Sequence, residues 1–387
     1  MKTKLFIITL FTTANAFAQV PNLTTVNSWA YQLQNMSVSQ IAADTSFELI
    51  VMDYSLNGDD ASKFTTQEIS QIKNSGKKAI AYLSIGEAEN YRFYWDTAWN
   101  TFNPAFLGPE NPDWPGNYKV KFWDSQWQDI VFQYIDTIMA QGFDGIYMDI
   151  IDAWYYWQTE NPQEPMADSL MVEFMQNIRN HVDFGPLAWY FYLIPQNGED
   201  VFDGDNSSAS LKSKWFTAID GIGVEDVFFP GNLDEDNAYN PDNYRLSILQ
   251  DYVQNSKQVF SVEYLTQSSK ISQFISEANN QSFVPYVCTR DLDQLCSGIT
   301  GTYNLQLTND DMEIWPNPSK GIFQLKIENK EFGMKYFEVK IYNILGEELL
   351  SYILQTTSHE LKFDLSNLHK GVYFLQLGQA VRKLVIQ

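Results

Sequence analysis

Gly142-Phe-Asp-Gly-Ile-Tyr-Met-Asp149 is the stretch on which the fold turns. Gly142 ends an amphipathic run, the residues after it read as a short buried strand, and Asp149 puts a carboxylate where that strand stops. A strand covered on both faces loses the alternation of polar and apolar residues, and this one has lost it.

The same grammar recurs on either side. Upstream, residues 28–32, 48–53 and 78–84 read as strands, and a helix over 65–73 separates the last two, with Thr65 or Thr66 able to cap it and Gly76 able to end it. Downstream, helices over 126–141, 166–182, 243–255 and 271–278 alternate with strands over 145–149, 188–195, 216–225, 258–264 and 283–288. Eight strands with intervening helices predict a closed (β/α)8 TIM barrel of roughly 280 residues. An open doubly wound sheet is the competing reading, but no Gly-x-Gly-x-x-Gly follows the first strand.

The ends of the chain carry different signals. Lys2 and Lys4 precede an apolar run over residues 5–11, and Ala16-Phe-Ala18 is a small-x-small cleavage pattern, so residues 1–18 read as a signal peptide and the protein as exported. No later run is long enough to span a bilayer, so no transmembrane segment is expected. Residues 19–311 are assigned to the barrel and 312–387 to a second module. That module contains Trp315-Pro-Asn-Pro318 and then short alternating strands with Gly and Asn at their joints, which predicts a small all-β sandwich.

Charge divides the modules as well. Residues 313–387 hold nine Lys/Arg and eight Asp/Glu, which leaves 16 against 40, about −24, of the chain's 25 and 48 for the rest. Such a surface repels nucleic acid and anionic lipid while admitting neutral or cationic polymers. Cys288 and Cys296 are the only cysteines, eight apart in an exported chain; they form either one local disulfide or two separately buried thiols.

Reacting groups of a barrel project from the carboxyl ends of its strands, and here nearly all of those ends are acidic. Asp53, Glu87 and Glu89, Asp149 and Asp152, Glu199 and Asp200, Glu225 and Asp226, and Glu263 all fall there. Carboxylates crowded into one cleft raise one another's pKa, the condition under which one remains protonated and can act as an acid. Glycoside cleavage needs such a pair.

Five motifs in order, Asp53-Tyr54, Tyr82-Leu-Ser-Ile-Gly-Glu-Ala-Glu89, Gly142 through Asp149, Ile194-Pro-Gln-Asn197 and Gly223-Val-Glu-Asp226, resemble the endo-α-1,4-polygalactosaminidase family of glycoside hydrolases and its bacterial relatives. The resemblance covers about 260 residues and implies an Asp/Glu pair at the ends of strands four and six. In this sequence these are Asp149, expected as nucleophile, and Glu225, expected as general acid/base, although a slip of one residue would exchange Glu225 for Asp226. The expected substrate is an α-linked polysaccharide, with an α-1,4-linked galactosamine-containing polymer as the form the resemblance implies.

Around the pair, Asp53, Glu87, Trp29, Tyr82, Asp152, Tyr155, Asn197 and Glu263 make up the expected substrate-binding set. The competing reading for these acids is a buried network tying loops together. Arg92 reads as an orienting ion pair near Glu87 and Glu89. Trp154-Tyr-Tyr-Trp157 cannot all point inward, so at least one ring is expected to stack on a sugar face. The Pro/Gly-rich insert over residues 91–123 is expected to wall the cleft, which suits endo action and exo action alike. No cofactor is expected, and no metal: Asp144 precedes its strand and Asp149 ends it, so the two should lie at opposite ends.

The second module resembles the C-terminal sorting domain of the type IX secretion system of Bacteroidetes-type bacteria, on Val339-Lys-Ile-Tyr-Asn-Ile-Leu-Gly346, Leu365-Ser-Asn-Leu-His-Lys-Gly-Val-Tyr373 and the terminal Lys383-Leu-Val-Ile386. This implies the type IX machinery as a partner and release to, or attachment at, the outer cell surface; a carbohydrate-binding sandwich is the competitor. For the whole chain, the alternative to a hydrolase is a non-catalytic surface polysaccharide-binding barrel.

Overall fold

The computed structural model describes residues 23–185, 190–296, 312–327, 335–356, 360–377 and 380–387; the expected signal peptide lies outside them. Eight parallel strands form the first module: β1 (Trp29–Gln32), β2 (Leu49–Met52), β3 (Lys78–Ser84), β7 (Gly145–Asp149), β8 (Tyr192–Pro195), β9 (Gly221–Glu225), β10 (Gln258–Tyr264) and β11 (Val284–Cys288). Their order is β1-β2-β3-β7-β8 in one arc and β9-β10-β11 in the other. A parallel bridge from Gln196 to Gly223 joins β8 to β9. At the other seam Trp29 Nε1 donates to the Val284 carbonyl at 2.9 Å and Tyr286 Oη to that of Tyr31 at 3.3 Å, so the ring is a TIM barrel.

Between the strands run α1 (Val38–Ala43), α2 (Thr66–Asn74), α3 (Ser125–Gln141), α4 (Ala153–Tyr155), α5 (Ala167–Phe184), α6 (Ala209–Ala218), α7 (Asn243–Gln254) and α8 (Ser268–Asn280). Thr65 and Glu68 form the capping box of α2, and Gly142 takes the left-handed cap of α3. The strand expected over 216–225 begins only at Gly221. Ser208 caps α6 through Leu211 N, and the helical spacing of Leu211, Trp215 and Phe216 turns them into the core, so these aromatics belong to the helix.

Parallel partners share a face. The register sets Tyr82 beside Tyr147, Ser84 beside Asp149, and Glu225 beside Val262. Beneath the last layer the lumen is filled by Trp29, Tyr31, Tyr147, Phe260 and Tyr286, a packed aromatic floor. An antiparallel sheet of β4 (Glu87–Glu89), β5 (Leu107–Glu110) and β6 (Asn117–Val120) rises between β3 and α3, so the Pro/Gly-rich insert is a sheet.

The second module pairs a sheet of β12 (Met312–Trp315), β13 (Ile322–Ile327) and β16 (Glu360–Asp364) with one of β14 (Lys335–Tyr342), β15 (Glu348–Thr356), β17 (Gly371–Leu377) and β18 (Ala380–Ile386). Phe323, Leu325 and Phe363 from the first meet Val339, Ile341, Leu375 and Leu384 from the second in one core, a β-sandwich. Cys288 and Cys296 are bridged, with Cα atoms 5.3 Å apart. Among the described residues no helix is long and apolar enough to cross a membrane.

Candidate active site

Asp149 ends β7 and Glu225 ends β9, both half-buried on the lumen side of the barrel. Tyr82 Oη donates to Asp149 Oδ2 at 2.7 Å and Ile150 N to its Oδ1 at 2.8 Å. The second bond depends on an unusual backbone: Ile150 sits at φ 59°, which a β-branched residue rarely adopts. Gly86 makes room for this turn, since a Cβ there would fall 2.1 Å from the Ile150 carbonyl oxygen.

Glu225 is held by three donors. Tyr264 Oη reaches Oε2 at 2.7 Å, Gln196 Nε2 the same oxygen at 3.2 Å, and Asn197 Nδ2 reaches Oε1 at 3.3 Å. Tyr31 Oη donates to Gln196 Oε1 at 3.1 Å, which fixes the sense of that amide. Asp226 turns away at φ 55° and binds Arg290 through both oxygens, at 2.9 and 3.1 Å, so Glu225 is the residue on the lumen side.

Burial, reinforced by the facing Glu225 carboxylate, pushes the Asp149 carboxyl up to about 8. A proton is thereby retained in the pair near neutrality, the condition for acid catalysis. Asp152 is exposed at its side chain, so water screens the upward shift that the surrounding protein and Glu87 give its carboxyl and that Lys119 opposes. Glu87 is buried, bonded through Oε1 to Asn111 Nδ2 at 2.9 Å and paired with Lys119 Nζ at 3.5 Å, while its Oε2 has no hydrogen-bond partner among the described residues.

Other expected site residues lie elsewhere. Both oxygens of Asp53 are engaged, by Arg92 Nη1 at 2.7 Å and Ser55 N at 3.0 Å, and Arg92 also binds Glu89 at 2.6 Å. That is the loop-tying network, with Arg92 in its orienting role. Trp29 has no exposed surface and belongs to the aromatic floor, so the expectation that it binds substrate is corrected: Tyr31 and Tyr147 cover it. Glu263 is likewise corrected. It lies one residue out of phase with the lumen-facing Val262 and Tyr264, is fully buried, and accepts from Phe228 N at 2.7 Å. Asp144 is placed at the amino end of β7, paired with Lys73 at 2.8 Å.

Of the four consecutive aromatics, Trp154 and Trp157 are buried, Tyr156 is half-buried, and Tyr155 is 47% exposed. Trp157 Nε1 donates to the Val120 carbonyl at 2.8 Å and so fastens the insert sheet to the barrel. Tyr31, Gln196 and Tyr264 were not anticipated. Gln196 stands inside the motif Ile194-Pro-Gln-Asn197, whereas β10 is buried on both faces and no local pattern singles out Tyr264.

A β/α barrel that brings an Asp and a Glu to its carboxyl-end face, each bonded to a tyrosine hydroxyl, has the arrangement that glycoside cleavage by carboxylates requires. Residues 11–303 match the model of glycoside-hydrolase family GH114, and residues 313–387 that of the secretion system C-terminal sorting domain. The chain belongs to family GH114, and its tail assigns it to type IX secretion, at the cell surface or beyond. An uncharacterized protein of Methanocaldococcus jannaschii is 38% identical over 290 residues, covering 73% of this chain and 80% of that one. One from Thermotoga maritima is 34% identical over 275 residues, covering 69% and 82%. In fold the chain is similar to the glycoside hydrolase domain of PelA from Pseudomonas aeruginosa, with TM-score 0.53, 14% identity, and 70% of this chain and 98% of that one covered. It is also similar to Ega3 of Aspergillus fumigatus, solved in complex with galactosamine, with TM-score 0.52, 17% identity, and 72% and 98% covered.

Proposed function

We propose that this enzyme cleaves an α-linked polysaccharide outside the cell, that the polymer contains α-1,4-linked galactosamine, and that Asp149 and Glu225 carry the chemistry. The observation that carries the reading is the coupled pair, with one carboxyl held up to about 8 by burial and by the other. The amino sugar is supported by the likeness to a barrel solved with galactosamine and by an acidic cleft in which Asp152 and Glu87 flank the pair.

In the retaining form of the reaction Asp149 attacks the anomeric carbon while Glu225 protonates the departing oxygen, and Glu225 then takes a proton from the water that releases the sugar. A cationic sugar arriving beside Asp149 favours its ionised form, which readies the nucleophile only when substrate is present. The wall made by β4, β6 and β5 suits endo and exo action alike, and the size of the products decides between them. A second reading exchanges the roles: burial retains the proton on Asp149, which then serves as the acid, and Glu225 takes the other part.

Reducing-end release from α-1,4-galactosamine polymer, beside a panel of α-glucans and galactans, tests the substrate. Release from the amino polymer alone, lost in Asp149→Asn and Glu225→Gln, is expected; equal release from neutral polymers overturns the amino-sugar assignment. Oligomeric products mark endo action and monomers mark exo. Azide rescue of alanine variants on an activated α-glycoside separates the roles, because a missing nucleophile yields the β-azide and a missing acid/base the α-azide.

A further inference from the structure

A second polar layer stands behind Glu225, and the pair chemistry leaves it without a role. Arg245, in the first turn of α7, sends Nη1 to the Glu225 carbonyl oxygen at 2.9 Å and Nη2 to Asn197 Oδ1 at 3.1 Å. Its Nε and Nη2 also engage the two carboxylate oxygens of buried Glu199. Asn197 Oδ1 accepts a further bond from Glu225 N at 3.2 Å. With two donors on its oxygen, the Asn197 amide cannot turn over without losing both, so Nδ2 is committed to Glu225 Oε1. Asn197 and Asp226 both adopt left-handed backbones, at φ 56° and 55°, and Arg245 bridges the two loops that contain them.

We propose that Arg245 is a positioning residue for Glu225, setting the carboxylate through the Asn197 amide and through the Glu225 main chain; the proposal rests on Glu225 being one of the reacting pair. Only a planar guanidinium has the separate donors for three partners at once, and an ammonium on the same stem is a single point of charge. The groups whose charge bears on Glu225 are Asp149 and Asp152 from the β7 end, Asp226, Arg245 and Arg290, with the hydroxyls of Tyr31, Tyr147 and Tyr264. Removing one cation from this set changes the field across the reacting pair, and the pH–rate profile moves with it.

The test uses the full chain carrying Arg245→Met, Arg245→Lys, Asn197→Ala and the Met/Ala double variant, on the α-1,4-galactosamine polymer. Expected are a kcat fall of about 100-fold in Arg245→Met with KM little changed, a displaced pH limb, and a double variant no worse than the poorer single. Arg245→Lys should recover thermal stability through Glu199 but not kcat. Full recovery by lysine, or a stability loss with an unmoved pH profile, reduces Arg245 to a staple between α7 and Glu199 and overturns the proposal. Activity surviving in Glu225→Gln instead sinks the pair itself. A readout free of substrate is the Asn197 side-chain amide resonance, assigned by its loss in Asn197→Ala. It should be sharp in the wild type and exchange-broadened in Arg245→Met, and an unchanged resonance counts against the proposal.

Discussion

Gly223 lies against the Tyr147 hydroxyl so closely that a Cβ on Gly223 would fall 1.8 Å from that oxygen. β9 and β7 carry the two halves of the acid pair, and this contact sets how near they approach across the lumen. Tyr147 cannot retreat, because Trp29 and Tyr31 pack against its ring. Gly223→Ala should therefore cost about 1–3 kcal/mol by overpacking and lower kcat by tilting the strands. Urea unfolding and initial rates check it, and a variant of unchanged stability and rate would show that the floor yields.

Arg92 is 3% exposed and serves two buried acids, Asp53 and Glu89. Arg92→Met leaves both carboxylates without their cation in low dielectric, which costs about 3–5 kcal/mol. A loss under about 1 kcal/mol in urea unfolding would mean that water enters and solvates the acids.

The barrel was legible because buried parallel strands leave apolar runs and because the acids stand where those runs end. Phase was harder. β10 is buried on both faces, so nothing in Gln258–Tyr264 marks which residues face the lumen, and an acid such as Glu263 reads as a site residue whichever way it points. The aromatic Trp215-Phe216 pair carries strand propensity that the tertiary packing of α6 overrides. Arg245 and Arg290 were invisible for another reason: they meet Glu225 and Asp226 from 20 and 64 residues away, and no local pattern records such a meeting.

The Cys288–Cys296 bridge closes a short loop at the seam where Leu292 O accepts from Leu33 N and Gln34 N of the segment after β1. Chain entropy assigns a loop of this size about 2.5 kcal/mol. The Cys288→Ala/Cys296→Ala variant should unfold at correspondingly lower urea. Equal unfolding midpoints would show that the seam bonds hold the ring without the bridge.

Tyr155 and Trp154 are neighbours with opposite surroundings, one 47% and the other 6% exposed. If Tyr155 stacks on a sugar, Tyr155→Ala should raise KM about tenfold and leave Tm in place. Trp154→Ala should do the reverse, lowering Tm through a core cavity. A KM unmoved in Tyr155→Ala removes that ring from the substrate path.

The Asp149 carboxyl also places a load on stability that pH reveals. A carboxyl whose pKa in the fold lies above its unfolded value favours the fold fully below the unfolded value, and this contribution is lost as pH rises through the folded one. For Asp149 the window runs from the ordinary 3.8 to about 8, and for Glu263 from 4.5 to about 8. The wild type should accordingly weaken between pH 4 and pH 8. Asp149→Asn, neutral throughout, should match it near pH 4 and exceed it at pH 8 by more than about 1.4 kcal/mol, the free energy of a tenfold change in a proton-binding constant. Urea unfolding at pH 4, 6 and 8 gives the comparison. A difference that does not change with pH would mean that Asp149 is ionised across the range, and the proton available to the reaction would then have to be found on another group.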